Sequence, residues 1–66
     1  MYEVKSRFQR NGIVTILSCV KVEEEITRKT IRISNRQFDI YYDYFDTLEE
    51  VIQFKKKFRN LIDLTR

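Results

Sequence analysis

Histidine, proline, tryptophan and alanine are absent from these 66 residues, and cysteine, glycine and methionine occur once each. Each absence removes a class of solution. Without histidine the chain lacks the commonest general base and the Ser–His and Cys–His nucleophile pairs. One cysteine closes no internal disulfide, and with no histidine beside it makes no ordinary zinc site. No apolar run is long enough to cross a bilayer, so no membrane partner is expected. Met1 leads straight into alternating charged residues, which is not the pattern of a secretory signal. Cys19, on an expected strand, then fits a reducing, cytoplasmic compartment. No catalytic residue, cofactor or metal is expected.

What is present suits a folded domain: 42% apolar and 35% charged residues, a net charge of +3 and a pI near 9.2. The mild basic excess favours a polyanionic partner. At 8.1 kDa, residues 1–66 make one domain. A core of that size rarely supplies more than about 3–5 kcal/mol alone. With disulfide and zinc excluded, a partner subunit remains, so a homodimer is the expected state. The lopsided composition is read as that of a low-GC bacterial or phage gene.

Tyr2, Val4, Ser6 and Phe8 alternate with Glu3, Lys5, Arg7 and Gln9, which is the period of a half-buried strand. Asn11-Gly12 then marks a tight hairpin in which both turn residues take positive φ. The second strand runs from about Ile13 to Val22, with Val14, Ile16, Val20 and Val22 on one face and Ile13, Thr15, Leu17 and Cys19 on the other. Both faces are partly apolar, so it should be central. Glu23-Glu24-Glu25 reads as a solvated acidic loop. The third strand, Ile26 to Ser34, should turn Ile31 and Ile33 to the core and Arg28, Thr30 and Arg32 outward.

Residues 37–45 suit either a strand or a helix, and their aromatic content favours the strand. Asp46 or Thr47 caps a closing helix, and Thr47 with Glu50 forms a capping-box pattern. Leu48, Val51, Ile52, Phe58, Leu61 and Ile62 would form its apolar stripe. The expected fold is α+β: a four-stranded antiparallel meander followed by one helix, ββββα.

On such a sheet Lys5, Arg7, Arg28 and Arg32 share the outward face, with Arg10 at the turn. Cations so crowded repel unless an anion lies over them, and a nucleic-acid backbone supplies one. Tyr41 would add a ring for a base to stack on. Lys56 and Arg59, three apart on the helix, are candidates to contact phosphate. The reading without a ligand is a polar sheet face that resists aggregation. Asp39, Asp43 and Asp46 raise a lesser alternative, a Mg²⁺-dependent DNA-nicking site.

The stretch from Arg7 to Ile16 resembles the first hairpin of the positive-cofactor-four and Whirly type of single-stranded-DNA-binding proteins. The stretch from Arg28 to Asn35 resembles the basic segment and short strand before their helix. The resemblance covers roughly half the chain. It implies a four-stranded antiparallel sheet with a helix, dimerisation through paired helices, and an approach to DNA by Arg7, Arg10, Arg28, Lys29 and Arg32. The aromatic segment from Phe38 to Phe45 departs from that pattern, as does the lack of tryptophan. The expected function is therefore a non-enzymatic binder of single-stranded or distorted DNA, of phage or mobile-element origin. The alternative is a phage-type effector that binds and blocks a host protein such as a defence nuclease.

Overall fold

The computed structural model describes residues 1–23 and 31–65. Glu24, Glu25, Arg28, Lys29 and the first part of the expected third strand lie outside them. The first alternating run forms strand β1, Tyr2–Gln9, and the second forms β2, Val14–Lys21. Between them, Gly12 N–H donates to Gln9 O (3.1 Å) and Gln9 N–H to Ile13 O (2.9 Å). Gly12 has φ of +91°, and no other described residue has positive φ. The turn is thus a tight bend relieved by one left-handed glycine, not the doubly left-handed pair expected from Asn-Gly.

Strand β3 is Ile31–Ser34 and β4 is Phe38–Phe45, which settles residues 38–45 as strand. Helix α1 is Leu48–Lys55, capped by Thr47, whose hydroxyl accepts from Glu50 N–H (3.2 Å). Strand β5 is Leu61–Asp63. The whole is a small α+β domain with a five-stranded mixed sheet in the order β3-β4-β1-β2-β5 and one helix.

Three expectations need correction. The strands do not form a meander: β4 pairs with β1, so β1 is the middle strand and β3 is held only through β4. The helix stops at Lys55 instead of reaching Ile62. Leu61 and Ile62 suit either period, and the free edge of β2 decides between them. Val14 N–H donates to Asn60 O (2.9 Å) and Leu64 N–H to Ile16 O (3.0 Å), giving a short parallel pairing. Phe58 leaves the helix to pack edge-on against Phe8 and Phe54, each at 5.2 Å between ring centroids.

The third correction concerns strand parity. Lys5 pairs with Ser18 but Ser6 with Ile16, so Leu17 is an extra residue, a β-bulge. Beyond it the faces exchange. Val14, Ile16 and Cys19 face the helix, while Val20 shares the other face with Glu3. The core is small: Val4, Ile16 and Val51 are fully buried, with Tyr2, Cys19, Phe45, Phe54 and Leu61 packed around them. Among the described residues nothing covers the opposite face of the sheet.

Candidate nucleic-acid interface

The register of β1 against β4 decides which side chains meet. Glu3 lies opposite Tyr44, Lys5 opposite Tyr42 and Arg7 opposite Ile40, and directly opposed residues share a face. Phe38, Ile40, Tyr42 and Tyr44 therefore form a row along the open side, about 6.8 Å apart per alternate residue. The cations of β1 lie across that row. Lys5 Nζ is 5.6 Å from the Tyr42 ring centre, and the Arg7 guanidinium is 5.9 Å from that of Phe38. Tyr44 donates its hydroxyl hydrogen to Glu3 Oε2 (2.9 Å), and this bond and the negative charge beside it hold the phenol above its ordinary pKa.

The other cations are placed differently. Ser34 pairs with Asp39 and Arg32 with Tyr41, so Arg32 lies on the helix-bearing side. Ile31 and Ile33 lie on the open side instead of in the core, 50% and 53% exposed. The alternation of β3 was legible, but the faces are reversed. Asp39 fixes them, because its carboxylate is engaged on the helix side. Arg10 Nη1 approaches Asp39 Oδ2 at 2.9 Å, Arg10 Nη2 donates to Asp39 Oδ1 (3.2 Å) and to Asn35 O (2.6 Å), and Ser34 donates to Asp39 Oδ1 (2.5 Å). Arg32 Nη2 adds a long contact of 3.9 Å. The hydrogen bonds from Arg10 and Ser34 hold the Asp39 carboxyl down at about 2.

The residues expected to meet an anion are thus divided. Lys5 and Arg7 share the open face; Arg10 and Arg32 share Asp39 on the other. Tyr41 is edge-on to Phe8 at 4.9 Å on the helix side and offers no open ring face there with Lys5 and Arg7. Lys56 is exposed at the helix C-cap, apart from both groups. Arg28 and Lys29 lie outside the described residues.

The structure adds residues that the sequence reading missed. Phe38, Tyr42 and Tyr44 join Lys5 and Arg7, an arrangement visible only once β4 is known to pair with β1. Arg36 is the other. With Arg7, Gln9, Arg10, Asn11, Gln37 and Phe38 it lines an open cleft of about 570 Å³ where the β1–β2 and β3–β4 turns stand side by side. No carboxylate lines it.

Asp39 and Asp43 share a face, but four residues of strand separate them by about 13 Å, too far to hold one ion. Among the described residues no three His, Cys, Asp or Glu side chains gather to bind a metal. No described helix is long and apolar enough to cross a membrane. Comparison with known protein families, with curated proteins and with solved structures finds no match.

Proposed function

We propose that the protein binds single-stranded nucleic acid, DNA in the first instance, across the open face of its sheet. The observation that carries this reading is the interleaving of Lys5 and Arg7 with the rings of Phe38, Tyr42 and Tyr44 on the face of the sheet opposite the helix. Single strands expose base faces and a line of phosphates, and such a surface offers a partner to each. In the free protein the cations rest over the rings. Both side chains are long, so an arriving base takes the ring face while the ammonium or guanidinium swings to the phosphate. A duplex hides its base faces and gains only the charge interaction.

Fluorescence anisotropy with labelled oligothymidylate tests this. Single strands should bind more tightly than a duplex of equal length, with affinity falling steeply as salt rises. Tyr42→Ala should weaken single-strand binding by about 1–3 kcal/mol, the worth of one stacked base. Equal binding of single and double strands, or no effect of Tyr42→Ala, overturns the stacking platform.

We infer also that the working form is a homodimer joined through β3. Its Ile31 and Ile33 are half-exposed at the outermost strand of the described sheet on that side. The same two isoleucines favour a second reading, an effector whose open face covers a host protein. Its signature is complex formation that neither added salt nor nuclease treatment disrupts.

A further inference from the structure

The cleft between the two turns extends beyond the aromatic row, and it is the best-organised cationic feature among the described residues. Its construction begins with Arg10. That guanidinium reaches from the β1–β2 turn to Asp39, Ser34 and Asn35 O at the β3–β4 turn, clamping the two together. Each turn is also fixed internally. Asn11 Oδ1 accepts from Ile13 N–H (3.2 Å), and Asn35 Oδ1 accepts from Gln37 N–H (2.8 Å) and Phe38 N–H (2.9 Å). Arg36 is therefore carried to the side of Arg7 by a braced frame.

The charges in the frame are unequal. Arg10 is neutralised by Asp39. Arg7 and Arg36 have no carboxylate partner among the described residues, and the Nε–H of Arg7 is buried without an acceptor. Gln9, Asn11 and Gln37 supply amide donors, and Phe38 supplies one ring wall. A cleft rich in donors, with no carboxylate among its described lining and two guanidiniums without a described carboxylate partner, suits an oxyanion with several oxygens. A phosphomonoester carries roughly −1.5 to −2 charges and three acceptor oxygens, whereas an internal diester carries one charge. Guanidiniums match that geometry with paired N–H donors. Phe38 belongs both to the cleft and to the aromatic row, so the row ends where the cleft begins.

We propose that this cleft receives the terminal phosphate of a single nucleic-acid strand, whose following bases lie along the aromatic row. The proposal rests on the platform reading for those bases and adds a polarity to it: one end of the strand is recognised and the other is not.

The test compares internally labelled oligothymidylates of one length carrying a 5′-phosphate, a 3′-phosphate or neither, at fixed salt. One phosphorylated end should bind about tenfold more tightly than the hydroxyl-ended strand. Arg36→Gln should erase that preference and lower the hydroxyl-ended affinity no more than the loss of one cation elsewhere on the surface does. Arg59→Gln removes the same charge outside this cleft and should keep the preference. Tyr42→Ala should lower every affinity and also keep it. If the strands bind but their ends are not distinguished, or if Arg59→Gln erases the preference as fully as Arg36→Gln, the phosphate site is overturned while the platform stands. If no strand binds, the platform fails, and titration with inorganic phosphate decides the cleft alone. Amide shifts confined to Asn11, Arg36 and Gln37 support it, and an unperturbed spectrum overturns it.

Discussion

The Arg10–Asp39 pair holds the β1–β2 and β3–β4 turns together, and acid should loosen it. The Asp39 carboxyl titrates near 2, below its ordinary range, because the charged form is held by Arg10 and Ser34. A carboxyl lowered in the folded state adds stability that is present above its unfolded pKa near 4 and lost as pH falls toward 2. Asp63 behaves alike. Burial pushes its carboxyl up, but the bonds from Lys55 and Thr65 outweigh that and bring it to about 2. Its side chain is 6% exposed, and Lys55 Nζ lies 2.8 Å away, tying the end of α1 to β5. Asp63→Asn should cost about 1–3 kcal/mol at neutral pH. Asp39→Asn should also lower the melting temperature there, by a smaller amount because Arg10 is well exposed. In both variants the difference from the parent should shrink as pH drops from 4 to 2, and a difference independent of pH contradicts the assignment. Ser6 presents the opposite case. Its hydroxyl is buried in the core with no hydrogen-bond partner. Ser6→Ala should therefore be neutral or stabilising, by up to about 1 kcal/mol in denaturant unfolding.

At the scale of the elements, what was legible followed from local patterns. β1, the turn before β2, β4 and the Thr47-capped start of α1 each show a period or a cap within a few residues of sequence. What was not legible depended on partners far along the chain. Nothing near Leu17 announces a bulge; it exists because Lys5 and Ser6 must pair with Ser18 and Ile16. Leu61 and Ile62 continue a helical stripe in sequence and become a strand only because β2 has an edge to fill. The candidate site suffered most from this. Tyr41 was favoured by the parity of an assumed meander, whereas pairing β4 with β1 selects Phe38, Tyr42 and Tyr44. Arg36 looked like one polar residue in a turn until a second turn was placed beside it. The glycine of the first turn is a local requirement that can be tested alone. A Cβ built at Gly12 meets nothing within 4 Å, so Gly12→Ala isolates the cost of φ at +91°. That cost should be about 1–2 kcal/mol in equilibrium unfolding.

The molecule as a whole is electrically polarised along its strands. At one end stand Arg7, Arg10 and Arg36, with Arg59 beside Asn11 in the neighbouring cleft. At the other, Glu3 begins β1, Asp43 and Asp46 lie at the end of β4, and Glu49 and Glu50 open α1, acids that Lys21 and the N-terminal ammonium offset only in part. The helix runs from the acidic end toward the basic one, so its dipole is aligned with the acids in its first turn. This polarity constrains how two copies meet. If two β3 strands pair about a two-fold axis they run antiparallel, and the basic end of each copy lies beside the acidic end of the other. Two copies stacked in parallel would bring like ends together. The antiparallel pairing also places four isoleucines side by side and joins two aromatic rows into one continuous face, so it enlarges the proposed platform without covering it. The expected solution mass is twice the 8.1 kDa of the chain, and it should fall toward one chain as salt weakens the charge matching. Ile33→Lys should yield a folded monomer, because its side chain is half-exposed and outside the core. A monomeric parent at low salt, or an Ile33→Lys protein that remains a dimer, shows that β3 is not where the copies join.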